Sequence, residues 1–158
     1  MAGPDVAQGV CDTPVSLLDL SATIAEHFGT QIDDGVGDPL GEIAANPDPD
    51  RAVFSEYHAA GAVSGAFMLR KGRWKLIRYV GFEDELFDLE NDPEELVNVA
   101  VQHIDVVTKM RAAMDDICDI EQVNAQAFAD QAALIEFHGG RDAALALGAP
   151  GATPPPKT

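Results

Sequence analysis

The sequence predicts an α+β fold: a small four-stranded antiparallel sheet with flanking helices, a C-terminal helical extension and an extended tail. Three observations predict it. Between residues 52 and 89, four short runs rich in β-branched and aromatic residues follow one another, with links too short for a crossover helix, so neighbouring strands must run antiparallel. Apolar residues recur at helical spacing on both sides of this region. The final stretch, 148–158, is rich in Ala, Gly and Pro and carries neither periodicity.

The elements follow in order. Residues 1–15 are extended, with turns at Gly3-Pro4 and Gly9. Ser16 has the chemistry of a helix N-cap, and Asp19, three residues on, supplies the acidic partner of a capping box. Leu17, Leu20, Ile24 and Phe28 then form one helical stripe, which Gly29 ends. Residues 30–50, dense in Gly, Asp and Pro, are expected to be a loop. Strands are expected at 52–57, 66–70, 74–80 and 85–89, with Lys71-Gly72 as the tight turn of the middle hairpin. Asp92 is expected to cap a helical turn, with Pro93 in the first helical position and Glu95 completing a capping box. Ile104, Val107, Met110, Met114 and Ile117 mark a helix over about 104–118. Val123, Ala127, Phe128, Leu134 and Ile135 mark another over about 121–137. Gly139-Gly140 breaks the chain, and 142–147 forms a last helical turn.

Composition narrows the function. The chain has 158 residues, 46% of them hydrophobic, enough for a buried core. Ten Lys and Arg against 27 Asp and Glu leave a net charge of −17. Such a surface repels phosphate backbones and anionic lipid, so neither nucleic acid nor membrane is an expected partner. No apolar run approaches the ~20 residues that span a bilayer. Cys11 and Cys118 are too few for a disulfide framework and have no zinc-site spacing, which suits reduced thiols in a cytoplasmic protein. The first residues lack the basic and apolar regions of a signal peptide. If an upstream region carried one, the compartment would instead be periplasmic.

Few residues have the pattern of a site. His58 stands at the end of the first strand, beside the glycine-bearing stretch 59–65, where an imidazole can donate, accept or move a proton. It is the candidate substrate-binding residue; the competing reading is an ordinary loop histidine. Arg70, Lys71, Arg73, Lys75 and Arg78 gather half the basic residues in one hairpin, which would suit an anion. On a single strand Lys71, Arg73 and Lys75 would share one face, and the competing reading pairs the hairpin with Glu83, Asp84 and Glu85. His27, His103 and His138 sit at expected helix ends, as cap or dipole partners. Asp88-x-Glu90-x-Asp92 starts like a calcium loop, but Pro93 and Val99 occupy the positions that need glycine and glutamate. Asp33, Asp34 and Asp38, or Asp48 and Asp50, could bind a cation weakly, and the stronger competing reading is a solvated loop. No phosphate-binding loop, zinc-protease or nucleophile-elbow motif occurs, so the sequence names no catalytic residue and no metal ligand.

Three stretches together resemble the C-terminal region of bacterial formylglycine-dependent sulfatases, of the arylsulfatase and choline-sulfatase kind, in the alkaline phosphatase superfamily. They are Asp12-Thr-Pro-Val-Ser-Leu-Leu-Asp-Leu20; Phe54-Ser-Glu-Tyr-His58 with Met68-Leu-Arg-Lys-Gly-Arg-Trp-Lys75; and Glu85-Leu-Phe-Asp-Leu-Glu-Asn-Asp-Pro-Glu-Glu-Leu-Val-Asn-Val-Ala100. The last resembles a family signature in which Leu-Tyr/Phe-Asp-Leu precedes Asp-Pro-x-Glu-x-x-Asn. The nucleophile motif Cys/Ser-x-Pro-x-Arg is not matched by Cys11-Asp12-Thr13-Pro14, which has one residue too many before the proline and Ser16 in place of arginine. The resemblance therefore implies that the nucleophilic formylglycine and a divalent metal, calcium or manganese, belong to an upstream catalytic domain. Residues 1–50 would pack on that domain, 51–100 would be the sheet subdomain, 101–147 a helical extension and 148–158 a flexible tail. The implied role is a subdomain inactive alone, supplying a cleft wall and subunit contacts in a homo-oligomer. The alternatives are the same part of a phosphonate or phosphate ester hydrolase, and a non-catalytic binding module.

Overall fold

A computed structural model describes residues 6, 8–30, 37–58 and 62–147. The expected tail at 148–158 and the turn at Gly3-Pro4 lie outside them. Helix α1 (Leu17–His27) opens on the expected capping box: Leu18 donates its backbone N–H to Ser16 Oγ at 3.2 Å, and Ser16 N–H donates to Asp19 at 2.7 Å. Helix α2 (Leu40–Ala45) was not expected, because six residues after Pro39 are too few to show a period. It forms against α1, where Leu40 donates its N–H to Thr23 Oγ1 at 2.8 Å. Ala25 and Ile43 are the buried apolar residues of this two-helix layer.

The sheet has four strands, β1 (Val53–Tyr57), β2 (Ala66–Lys71), β3 (Trp74–Tyr79) and β4 (Glu85–Asp88), each antiparallel to the next in the order β1-β2-β3-β4. Register places Phe54, Leu69, Leu76 and Leu86 in one row across the sheet. That row, with Phe67, meets Val107, Met110 and Met114 of α3 (Ile104–Asp115) and Ile120 of α4 (Ile120–Phe137) to form the core. Phe67, Leu69, Leu76, Leu86 and Met114 are fully buried, each burial contributing about 1.5–3 kcal/mol against exposure. No side chain of α1 or α2 enters this core. Helix α5 (Arg141–Leu147) follows α4 after Gly139 and Gly140, both at positive φ.

Two local expectations are corrected. Asp92 does not open a helix: Glu95 adopts φ 57°, its N–H donates to the Asp92 carbonyl, and the Asp92 carboxylate accepts from Val97 N–H at 2.8 Å. The segment is a turn, and Glu95 reaches Lys75 at 2.5 Å instead of capping. The basic hairpin also divides differently. Gly72, at φ 58°, turns the chain, so Arg70 lies directly opposite Lys75 on one face while Arg78 lies opposite Phe67 on the other.

Candidate functional site

His58 follows β1 on the core side of the sheet, because continued alternation puts it on the same face as Phe54. Its ring meets the edge of Phe67, centroids 5.2 Å apart at 77°. Beside Phe67, the ring also rests against Gly65. A Cβ there would stand 2.7 Å from His58 Cε1 and 2.9 Å from Nδ1, so only glycine lets the backbone come this close. The His58 side chain is 21% exposed, and its Nε2 lies 3.7 Å from Glu56 Oε2. Nε2 is buried and makes no hydrogen bond among the described residues.

Helix α4 closes the site from the side. Asn124 Oδ1 accepts the Gly65 N–H at 2.7 Å, and Gln131 Nε2 donates to the His58 carbonyl at 3.1 Å. The crevice among His58, Ser64, Gly65, Asn124, Phe128 and Gln131 has a volume of about 10 Å³, room for about one water. Next to it, a wider depression of about 640 Å³ is lined by Tyr57, Val63, Tyr79, Phe82, Glu83 and Glu85. There the Tyr79 hydroxyl donates to Glu85 at 3.3 Å. Burial first, then the Glu85 charge, pushes the phenol above its ordinary range. His58 was legible from its place at a strand end; the rings of the depression were not singled out. Asn124 and Gln131 carry no local signal; only the docking of α4 brings them to residues 59 and 73 positions away.

The other candidates have structural work. Arg73 is held by Asp88, with Nε donating to Oδ1 at 2.8 Å, and by Glu90, and it lies over the Trp74 ring. The Arg73 hydrogen bonds hold the Asp88 carboxyl down at about 2, against the opposing effect of its burial. Arg78 reaches Asp84 and Asp115, and Arg111 donates to Asp84 at 2.7 Å. Of the acids expected to pair with the hairpin, Asp84 does so; Arg73 and Lys75 use Asp88, Glu90 and Glu95. Among the described residues Arg70 and Lys71 form no ion pair, and register sets Arg70 and Arg78 on opposite faces, so the five do not converge on one anion site. His27 ends α1, and His138 follows α4 as its C-cap. His103 sits at the N-cap of α3, makes no side-chain cap bond and packs on Trp74 instead.

Acidic groups are similarly committed. Asp19, fully buried, takes both Arg51 Nη atoms at 2.8 and 2.9 Å, and Asp38 joins Arg51 at 3.1 Å. Burial alone would raise Asp19; Arg51 and the N–H groups of Ser16 and Asp38 outweigh it and bring the carboxyl to about 2. Asp33 and Asp34 lie outside the described residues. Among the described ones, no three His, Cys, Asp or Glu side chains converge as metal ligands. No helix among them is long and apolar enough to cross a membrane. Both Cys11, which is exposed, and Cys118 are free thiols.

Arylsulfatase K of Xenopus laevis is 32% identical over 138 residues, covering 78% of this chain and 26% of that protein. Choline-sulfatase of Rhizobium meliloti is 34% identical over 106 residues, covering 63% of this chain and 20% of that protein. A solved 2-O GAG sulfatase superposes with a TM-score of 0.51 at 25% identity, over 60% of this chain and 22% of that one. The chain thus spans about a quarter of the length of the curated relatives it matches. Residues 6–119 match the family model described as N-sulphoglucosamine sulphohydrolase, C-terminal, and the chain therefore belongs to this family of sulfatase C-terminal domains.

Proposed function

We propose that the chain is the C-terminal subdomain of a sulfuric ester hydrolase, inactive by itself, which packs beside an upstream catalytic domain and presents His58 to the wall of the substrate cleft. The observation that carries the reading is the His58 site: a ring packed against Phe67 and Gly65, with a buried Nε2 that makes no hydrogen bond among the described residues. A substrate oxygen or a group of the upstream domain would complete it. The nucleophilic formylglycine and a divalent metal, calcium or manganese, then come from the upstream domain, where the metal would polarise the sulfate oxygens. Two free thiols, one of them exposed, suit a reducing compartment such as the cytoplasm.

Helix α1 supports the docking half of the reading. Leu17 and Phe28 are 84% and 76% exposed, and Leu20 and Ile24 are half-exposed beside them. A stripe this apolar is a covered surface in a finished assembly. In the separate chain it would be covered by self-association.

The test has two arms. Assayed with an aryl sulfate and added calcium or manganese, the purified chain is expected to show no turnover; sustained hydrolysis would overturn the reading. In the complete parent enzyme, whose upstream frame is expected to encode Cys/Ser-x-Pro-x-Arg, His58→Ala is expected to raise KM about tenfold, the loss of roughly 1.4 kcal/mol of binding. An unchanged KM would remove His58 from the cleft.

A further inference from the structure

We propose that Asn124 and Gln131 of α4 are positioning residues that clamp both ends of the β1–β2 connection and so fix the His58 imidazole, an inference that gains its functional meaning from the cleft reading above. The connection leaves β1 at His58 and returns at Gly65, and α4 holds each end with one side-chain amide. Gln131 donates to the His58 carbonyl at 3.1 Å, and Asn124 accepts from the Gly65 N–H at 2.7 Å. Gly65 is tied on its other side as well, its carbonyl accepting from Val80 N–H at 3.4 Å. Because the imidazole rests against Gly65 with no space for a Cβ between them, moving the Gly65 backbone moves the ring. Helix α4 lies beyond residues 6–119, the stretch that matches the family model. The clamp is therefore supplied from outside that stretch.

The two amides act with opposite polarity, which makes the proposal separable from a general packing role. Asn124 works as an acceptor, so Asn124→Asp reproduces its bond and Asn124→Ala removes it. Gln131 works as a donor, so Gln131→Glu sets a carboxylate against a carbonyl and loses the bond without losing bulk. The experiment uses the full chain, isotope-labelled, read by amide hydrogen exchange at Gly65 and by the His58 ring resonances in NMR. Asn124→Ala is expected to speed Gly65 exchange at least tenfold and to shift the His58 ring signals. Asn124→Asp is expected to restore both readouts, and Gln131→Glu to shift the ring signals with little change in Tm. Unchanged ring signals in both Asn124→Ala and Gln131→Glu, or Asn124→Asp behaving like Asn124→Ala, would overturn the clamp. These readouts involve no substrate. If the clamp holds while His58→Ala leaves KM in the parent enzyme untouched, the cleft reading fails and the clamp stands.

Discussion

Asp19 ties together three segments of the N-terminal layer. It caps α1 through Ser16, accepts the Asp38 N–H at 3.0 Å and takes both ends of the Arg51 fork. Its carboxyl, held at about 2, lies below the unfolded value near 4. A depressed carboxyl stabilises the fold fully above the unfolded value and loses that contribution as pH falls through the folded one. The window is therefore about pH 4 down to about 2, with on the order of 2 kcal/mol at stake. Asp19→Ala, which leaves Arg51 mostly buried without its main partner, is expected to cost about 3 kcal/mol in urea unfolding at pH 7 and to flatten the acid limb. Asn98 is the comparable residue of the sheet. Its Oδ1 accepts the N–H of Leu86 and of Ala100, and its Nδ2 donates to the Asp84 carbonyl. Asn98→Ala is expected to cost about 2 kcal/mol in the same assay, and Asn98→Asp clearly less, because both acceptor bonds survive. The capping role of Asp19 was legible from three-residue spacing, but its bond to Arg51 was not. Nothing local relates positions 32 apart.

At the scale of elements, the stretch from Leu86 to Asn98 shows why a recognisable spacing recurs without chemistry of its own. Asp88 binds Arg73, the Glu90 N–H and Asn91, and so turns the chain out of β4. Asp92 holds the next turn, and Asn98 with the Val99 N–H returns the chain to Leu86. The sequence pointed to this segment but mistook its turn for a helix start. Capping chemistry and turn chemistry use the same Asp-Pro-Glu, and the left-handed φ of Glu95 decides between them. The strands were legible because alternation and short links leave few alternatives. Helix α2 was not, since it depends on α1. The apolar stripe of α1 was read correctly as a stripe, and its exposure follows from having no sheet or helix over it. Light scattering of the separate chain is expected to show a dimer or larger species, and Leu20→Glu with Ile24→Glu is expected to return it to monomer without lowering Tm. A wild-type monomer would refute the self-association.

For the whole molecule, charge is the dominant global fact. A net charge of −17 on 158 residues makes every carboxylate repel the rest of the surface. Exposed charges interact across a Debye length of about 10 Å at 0.1 M salt. Raising NaCl from about 10 mM to about 300 mM is therefore expected to raise Tm by several degrees; a fall would mean that ion pairs such as Arg111–Asp84 outweigh the repulsion. The candidate site was partly legible at this scale. His58 could be found from its place at a strand end, whereas the helix that steadies it could be found only once α4 was folded against the sheet.

The attachment of the two-helix layer has its own consequence. α1 and α2 contribute nothing to the core, and Arg51, just before β1, moors them through Asp19, Asp38 and the Pro14 carbonyl. Such a layer can open without the sheet. As acid titrates Asp19, its mooring loosens while the fully buried row from Leu69 to Leu86 is untouched. Amide exchange between about pH 4 and about 2 should then resolve two cooperative units in one chain, the first releasing at a pH where the second still holds its protons.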